Sequence, residues 1–265
     1  MLIVAERINA SRKAIRAALE QLDAKAIQAE ARSQAAAGAH YIDVNGGTFP
    51  GREAELLSWL VDVVQEATDL PLCVDSSDPA ALVAALPKVK QARPMINSIT
   101  LEGQRFAKVL ALAREHKAKL IALCQGEGLP ASTAESKVDL ASQLIDRLTA
   151  GGVALDDLYV DPLVFPLATD PYSGKATLAA IDVLMSRYPG VHTICGLTNV
   201  SHGLPARKLM NRTFLVAAIS HGMDAVIADP TDVALMASIL AGEALIGRDE
   251  YCIDFIQGFQ DGKLA

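Results

Sequence analysis

The stretch Leu72-Cys73-Val74-Asp75-Ser76-Ser77-Asp78-Pro79 contains the pattern that decides the fold. A short apolar run is followed by polar residues and then by Asp78-Pro79, which predicts a helix N-cap with proline in the first helical turn. Eight short apolar runs occur along the chain, and we interpret each of them as a strand: residues 2–5, 41–44, 72–74, 95–96, 120–124, 158–160, 192–195 and 225–228.

Stretches with helical spacing separate these runs. Asp23 is expected to begin a helix that Gly38 ends, and Ser132-Thr133-Ala134-Glu135 has the spacing of a capping box. Because strands that are apolar throughout are buried on both faces, the alternation predicts helices packed around a parallel sheet. Eight such units in 265 residues predict an α/β protein, a single (β/α)8 TIM barrel in which residues 1–265 form one domain. The segment 249–262 follows the eighth unit and is expected to cap the barrel.

An open, doubly wound sheet is the alternative fold. Such a sheet usually begins with a glycine-rich turn that binds a dinucleotide. The chain contains neither G-x-G-x-x-G nor G-x-x-x-x-G-K-[ST], which favours the closed barrel.

Composition argues against several classes of protein. The chain has a formal net charge of −7 and only 5% aromatic residues, so it lacks the basic stripes and stacking rings of nucleic-acid-binding proteins. No apolar run approaches the ~20 residues that cross a bilayer, and the N-terminus lacks the pattern of a signal peptide. We therefore expect a cytoplasmic protein with no membrane or nucleic-acid partner. Its four cysteines, none in a C-x-x-C pair, are expected to be buried thiols: Cys73, Cys124, Cys195 and Cys252.

Polar residues follow the predicted strands, at the end of a barrel where active sites lie. Any one of them alone fits a turn or a helix N-cap, and Asp229 before Pro230 is the clearest example. Together they predict a polar mouth that suits a flat heterocycle with an N–H edge. The residues are Glu6, Arg7, Asn9, Asp43, Asn45, Asp75, Asn97, Ser98, Gln125, Asp161, Thr198, Asn199 and Asp229.

The sequence lacks the residues that two other common barrel chemistries, Schiff-base and metal catalysis, require. No lysine follows a strand at the depth of a Schiff base; Lys119 precedes its strand and is expected to be solvated. The histidines do not cluster, so no metal site is predicted. An unrelated barrel aldolase or lyase is therefore disfavoured.

Six short motifs, in their order and spacing, resemble the pterin-binding methyltransferase family, and within it the methyltetrahydrofolate:corrinoid protein methyltransferases. The resemblance runs over essentially the whole chain and implies a single barrel, a homodimer and an acidic mouth that holds tetrahydrofolate or methyltetrahydrofolate. The motifs are Ala5-Glu6-Arg7-Ile8-Asn9, Asp43-Val44-Asn45, Leu72-Cys73-Val74-Asp75-Ser76, Met95-Ile96-Asn97-Ser98, Leu158-Tyr159-Val160-Asp161-Pro162-Leu163 and Gly196-Leu197-Thr198-Asn199-Val200-Ser201.

The resemblance also implies roles for the residues that bind the pterin. Asp161 would accept hydrogen bonds from the pterin amino and ring N–H groups, and Asp75 and Asn97 would complete that edge. Ser98 and Gly196 would let the ring approach closely. Four further residues are candidates for contacts with the pterin or folate: Asp43, Asn45, His202 and Arg207.

Asn199 is the candidate catalytic residue. A tertiary amine is a poor leaving group, so methyl transfer from folate N5 to cobalt(I) requires N5 to gain a proton or a strong hydrogen bond. A carboxamide whose hydrogen bond tightens in the transition state stabilises the transition state more than the bound substrate, and so lowers the activation barrier. Because the same groups serve the reverse reaction, the sequence leaves the direction of transfer open.

The corrinoid is expected on a separate protein. Proteins that hold it carry a D-x-H-x-x-G signature, which none of the five histidines has. Cobalamin would then arrive on a partner that docks over the barrel mouth. Two loops, residues 125–130 and 202–205, depart from the family pattern, so the identity of that partner and the roles of His202 and Arg207 stay open.

Two other functions are consistent with a pterin-binding barrel. A dihydropteroate synthase would need basic residues for a pyrophosphate near the mouth, and the acidic strand ends with Asn199 argue against it. A folate-binding subunit without catalysis would have no need of an amide aimed at N5, so Asn199 distinguishes a methyltransferase from a binding subunit.

Overall fold

The computed structural model describes residues 1–126 and 131–264 and contains eight parallel strands. All eight lie where the apolar runs predicted them. Their bounds are β1 Leu2–Asn9, β2 Tyr41–Asn45, β3 Leu72–Asp75, β4 Met95–Ile99, β5 Lys119–Leu123, β6 Leu158–Asp161, β7 His192–Thr193 and β8 Ala225–Ala228.

Helices follow the strands. Their bounds are α1 Lys13–Gln21, α2 Ala24–Ala36, α3 Glu53–Gln65, α4 Pro79–Ala85, α5 Gly103–His116, α6 Ala134–Ala150, α7 Ser173–Arg187, α8 Arg207–Ser220, α9 Val233–Leu245 and α10 Ile253–Gln260. Short 3₁₀ turns span Leu86–Lys88, Leu155–Asp157, Leu197–Asn199 and Glu250–Cys252. None of these helices is both long enough and apolar enough to cross a membrane, for the residues described.

The strands form one sheet in the order β7-β6-β5-β4-β3-β2-β1-β8. The two edges meet just after β7, where the Ile227 amide donates to the Cys195 carbonyl at 3.0 Å. This contact closes the sheet and confirms the predicted (β/α)8 barrel. β7 is shorter than predicted, although the Ile194 amide still donates to Val160 of β6.

Each strand presents alternate side chains to the barrel interior and to the helices. The inward side chains pack together as a separate apolar cluster, made of Val4, Tyr41, Cys73, Met95, Ile121, Tyr159, Ile194, Ala225 and Ile227. The outward side chains, such as Ile42, Val74 and Ile96, join the larger core beneath the helices. The next inward position on each strand therefore lies at the barrel mouth.

The predicted helix starts are confirmed at two places and corrected at a third. Asp23 accepts from the Ala26 amide at 3.1 Å and Asp78 from the Ala80 amide at 2.8 Å. The capping box at α6 lies one residue later than predicted, because Thr133 is the extended residue before the helix and exchanges hydrogen bonds with Ser136. The prediction of Ser132 and Glu135 as the box was therefore wrong.

Three further expectations need correction. Lys119 begins β5 and does not precede it, and its side chain is partly buried, with Nζ donating to the Tyr159 hydroxyl at 2.8 Å. Cys252 is exposed, whereas Cys73, Cys124 and Cys195 are buried as predicted. The segment 249–262 does not cap the barrel, because α10 packs against α9 on the outside. Residues 127–130 of the loop that departs from the family pattern lie outside the described residues.

Candidate active site

The polar network at the mouth begins on three neighbouring strands. Asn45 pairs in register with Asp75, and Asp75 pairs with Asn97. The Asn45 amide donates to Asp75 at 2.8 Å, and the Asn97 amide lies 3.4 Å from the Asp43 carboxylate. The register thus brings four of the predicted site residues together.

Two carboxylates of this network lie close enough to affect each other's ionisation. Burial, together with the charge of Asp75, raises the pKa of Asp43 well above its usual range. Burial also raises the pKa of Asp75 to about 6, against the hydrogen bond from Asn45 that lowers it. Because burial and the charge of Asp75 both favour the neutral form of Asp43, Asp75 is the better acceptor for a ligand N–H group.

Asp161 ends β6 on the opposite side of the mouth, and its side chain is only 6% exposed. One carboxylate oxygen accepts from the Leu163 amide at 2.7 Å, which holds the carboxylate in place. Burial raises the pKa of Asp161 to about 6, although the Leu163 amide and the charge of Lys137 oppose the rise. The carboxylate is therefore oriented and ionised at neutral pH, but poorly solvated, which favours a charge-assisted bond to a ligand donor.

Asn199 lies in the 3₁₀ turn after β7 and is exposed at the mouth. A Cβ added at Gly196 would meet the Asn199 amide nitrogen at 3.2 Å, so glycine lets this carboxamide sit close to the strand end. Ser98 is buried, and its carbonyl accepts from Arg105 at 2.6 Å. Gly196 and Asn199 thus lie beside each other after β7 and Ser98 lies within β4, while their contacts with a pterin stay a prediction.

Within residues 1–126 and 131–264, His202 and Arg207 form no hydrogen bond with a carboxylate of the mouth, although the charge of Arg207 favours the ionised form of Glu6. Arg207 instead donates to the Ser201 hydroxyl at 3.1 Å and to the Thr198 carbonyl at 2.9 Å. It therefore supports the turn that carries Asn199. His202 is exposed on the same loop.

Glu6 is a site residue to which the sequence assigned no role. It is the next inward position after Val4, which agrees with its place among the polar residues that the sequence put at the mouth. Burial and the nearby charge of Asp229 raise the pKa of Glu6 to about 7. Thr198 donates to its carboxylate at 3.4 Å.

Sequence reasoning also missed the cations that hold the mouth in shape. Arg105 of α5 donates to the carbonyls of Ser76, Ser77 and Ser98, which ties the ends of β3 and β4 together. Its partners lie on other loops, so no local pattern identifies it. The buried Lys137 is the second such cation.

Arg7, which the sequence did place at the mouth, is a further cation of this kind, and it corrects the interpretation of Asp229. Arg7 donates to Glu30 at 2.5 Å and to Asp229 at 2.8 Å. Asp229 accepts from the Thr231 amide, while Asp232 is the residue that caps α9. Asp229 is thus an ion-pair and turn residue, and not a helix N-cap.

Within residues 1–126 and 131–264, no group of three or more His, Cys, Asp or Glu side chains could hold a metal ion. The mouth therefore offers hydrogen-bond acceptors and carboxamides. Such a set can bind a planar ring with several N–H groups and deliver an amide to one ring atom.

The raised pKa values predict that the ligand-free protein loses stability as pH rises from 5 to 8. For Glu6, Asp75 and Asp161 the pKa in the folded state exceeds the pKa in the unfolded state. Their contribution to the stability of the fold is therefore complete below the unfolded pKa and is lost as the pH rises through the folded pKa. A two-unit rise corresponds to about 3 kcal/mol per group. Urea unfolding at pH 5, 6.5 and 8 measures the trend, and a free energy of unfolding that increases over this range contradicts it.

Comparisons with known proteins agree with this geometry. A family model described as pterin binding enzyme matches residues 5–229. The chain is 37% identical over 268 aligned residues to a methylcorrinoid:tetrahydrofolate methyltransferase of Eubacterium limosum, which covers 100% of this chain and 98% of that protein. It is 33% identical over 253 residues to a methionine synthase of Mycobacterium tuberculosis, covering 90% of this chain and 21% of that protein.

Solved structures share the fold at lower identity. A dihydropteroate synthase of Yersinia pestis superposes with a TM-score of 0.66 at 19% identity, covering 92% of both chains. The enzyme of Xanthomonas albilineans in complex with 7,8-dihydropteroate gives 0.67 at 18% identity, again over 92% of both chains. These likenesses support the barrel, and the sequence matches go further: this chain belongs to the family of pterin-binding enzymes.

Proposed function

We propose that this protein is a methyltransferase that moves a methyl group between N5 of tetrahydrofolate and the cobalt of a separate corrinoid protein. The observation that carries the proposal is a pair of carboxylates with raised pKa values, the partly buried Asp75 and the buried Asp161, at one mouth. This mouth lies in a chain that matches a named methylcorrinoid:tetrahydrofolate methyltransferase from end to end.

The pterin ring would bind through its N–H edge. Asp161 accepts from the 2-amino group and the adjacent ring N–H, and ionised Asp75 accepts from a further ring donor, with the Asn97 amide on the carbonyl or a ring nitrogen. Asn45 keeps Asp75 in place through its 2.8 Å hydrogen bond. Charge-assisted bonds of this kind are about twice as strong as neutral ones, so the two carboxylates supply most of the affinity for the ring.

Asn199 would act at N5. In the direction from methylcorrinoid to tetrahydrofolate, the N5 lone pair attacks the methyl group and the electrons of the carbon–cobalt bond stay on cobalt as cobalt(I). The proton on N5 is then released. In the reverse direction N5 must receive a proton as the methyl group leaves. A carboxamide held beside Gly196 stabilises the N5 centre in either direction.

We propose that transfer runs from the methylcorrinoid to tetrahydrofolate, in agreement with the name of the Eubacterium limosum relative. The corrinoid is a substrate carried by a partner protein that docks over the mouth, where Asn199 and His202 are exposed. Two copies of the chain would associate as the homodimer that the resemblance implies, and sedimentation equilibrium of the purified protein tests that mass.

Methyl transfer can be followed by the cobalt spectrum. The protein mixed anaerobically with methylcobalamin and tetrahydrofolate should produce cob(I)alamin, and with cob(I)alamin and methyltetrahydrofolate it should produce methylcobalamin. No transfer in either direction, with free cobalamin or with a corrinoid protein, would contradict the proposal. Tetrahydrofolate binding without transfer would indicate a binding subunit, whereas condensation of a pterin pyrophosphate with aminobenzoate would indicate a dihydropteroate synthase.

A further inference from the structure

Lys137 is a buried cation that the proposed chemistry does not use. It lies in the first turns of α6, and its side chain is fully buried. Its ammonium donates to the Pro162 carbonyl at 2.9 Å and to the Leu163 carbonyl at 2.7 Å, and it lies 5.0 Å from the centre of the Phe165 ring. Two carbonyls and an aromatic ring thus surround the ammonium, and among residues 1–126 and 131–264 no carboxylate contacts it.

Burying a positive charge is costly unless a negative charge lies nearby. One negative charge that acts on Lys137, that of Asp161, is linked to it through the backbone. The Pro162 carbonyl that accepts from Lys137 and the Leu163 amide that donates to Asp161 belong to the same peptide group. Because the two ends of a trans peptide group point in opposite directions, the cation lies on one side of it and the carboxylate on the other.

This arrangement polarises the peptide group from both ends. A cation on the oxygen makes the N–H group a stronger donor, and an anion on the N–H group makes the oxygen a stronger acceptor. Leu163 has a φ of +56°, an uncommon conformation for a side chain of this kind. The hydrogen bonds of Lys137 to the carbonyls on both sides of Leu163 hold the loop in that conformation.

We propose that Lys137 is a positioning residue for the pterin-binding carboxylate: through the Pro162–Leu163 peptide group it orients Asp161 and keeps it ionised. The inference rests on the proposed function, because it gives the role of Lys137 in binding of the pterin ring. Lys137 does not contact the substrate itself.

Other titratable groups surround the pair. Cys124 after β5 and Cys195 after β7 face Asp161, and burial raises the pKa of both thiols, so they remain neutral. The charge of Asp170, on the loop after β6, also acts on Lys137. Burial lowers the pKa of Lys137, and the charges of Asp161 and Asp170 oppose that shift. Lys137 is therefore the cation of this group that acts on Asp161.

Carboxyl NMR tests the proposal without folate or corrinoid. The Asp161 signal, assigned by its loss in Asp161→Asn, is titrated in the wild-type protein and in Lys137→Met, which keeps the length of the side chain. Lys175→Met is the matched control, because Lys175 is an exposed lysine of α7 beside the same loop. The midpoint of Asp161 should rise by about one unit, a tenfold change in its protonation constant, in Lys137→Met and stay unchanged in the control.

Tetrahydrofolate binding, measured by anaerobic calorimetry, provides the second readout. Lys137→Met should weaken binding about tenfold more at pH 5 than at pH 9, since the carboxylate is ionised in both proteins at high pH. An unchanged Asp161 midpoint, with affinity lowered equally at every pH, would assign Lys137 a merely structural role and overturn the proposal. If wild-type protein binds no tetrahydrofolate, the proposed function fails, while the Asp161 midpoint still decides the role of Lys137.

A measurement on wild-type protein covers the case in which Lys137→Met does not fold. The Leu163 amide should titrate with the same midpoint as the Asp161 carboxyl, and Lys137→Arg, which keeps the charge, should leave that midpoint within about 0.3 units. A Leu163 amide that does not respond to Asp161 would overturn the proposal.

Discussion

Asn199→Ala should reduce the rate of methyl transfer about 10²–10³-fold while tetrahydrofolate still binds. Gly196 allows the Asn199 amide to lie close to the strand end, and the proposed hydrogen bond to N5 would tighten as charge changes there. Losing a donor that acts mainly in the transition state removes about 2–4 kcal/mol of barrier reduction. Single-turnover stopped-flow spectroscopy of cobalt, combined with calorimetry of tetrahydrofolate binding, separates the rate from the affinity.

Gln104→Ala is a suitable control for this variant. Gln104 is an exposed carboxamide at the start of α5, so its removal deletes the same chemical group without touching the turn after β7. Its rate should match that of the wild type. If Asn199→Ala loses affinity by the same factor as rate, Asn199 binds the substrate and has no separate role in chemistry.

Asp161→Asn should weaken tetrahydrofolate binding by about 10²–10³-fold, because truncating a buried, charge-assisted partner costs about 2–5 kcal/mol. The asparagine would keep an oxygen for the Leu163 amide, which now donates at 2.7 Å. It would also place an NH₂ group against the N–H edge of the pterin ring. The loss therefore combines a missing charge with a donor that faces a donor.

The same variant should stabilise the ligand-free protein at pH 8. The folded pKa of Asp161, about 6, lies above that of an unfolded aspartate, so ionisation at neutral pH costs stability. Asparagine removes this cost of about 1–3 kcal/mol at pH 8, and the difference from wild type disappears near pH 4. The variant is thus expected to lose affinity and gain stability, because a desolvated carboxylate favours ligand binding but destabilises the ligand-free fold.

Calorimetry at pH 8 and urea unfolding at pH 4 and 8 measure the two effects. Asp182→Asn provides the matched control, because Asp182 is an exposed aspartate of α7 whose side chain lies outside the mouth. It should leave both quantities unchanged. If Asp161→Asn retains its affinity for tetrahydrofolate, another carboxylate binds the N–H edge of the pterin ring, and Asp75 is the next candidate.

Much of the fold could be predicted because its signals are local. Short strands that are apolar on both faces, and N-caps such as Asp23 and Asp78, depend on neighbouring residues only. The predicted strands therefore lie where the structure has them. The errors at Lys119 and Asp229 arose because the role of each side chain depends on a partner that is distant in sequence, Tyr159 for Lys119 and Arg7 for Asp229. The error at the capping box arose because Ser132 and Thr133 are both suitable N-caps, and only the backbone conformation shows that Thr133 is the N-cap.

In the candidate site, too, the residue types could be predicted from the sequence and their hydrogen bonds could not. Alternation along each strand places Asp43, Asp75, Asn97 and Asp161 on the inward face, so the residue types at the mouth follow from the sequence. Their hydrogen bonds depend on the register between strands, which pairs Asn45 with Asp75. The sequence also suggested His202 and Arg207 as ligand contacts, which stay predictions; the structure adds that Arg207 donates to the Thr198 carbonyl.

By itself the sequence determined a barrel with an acidic, carboxamide-containing mouth of the pterin-binding type, because strand periodicity and short motifs are properties of neighbouring residues. Only the tertiary structure decided how these groups ionise and what holds them. Burial raises the pKa of Glu6 to about 7 and that of Asp161 to about 6. Lys137 and Arg105 reach loops 25 or more residues away, at Pro162 and Ser77. Desolvation and long-range contacts exist only once the chain is packed, so no local pattern contains them.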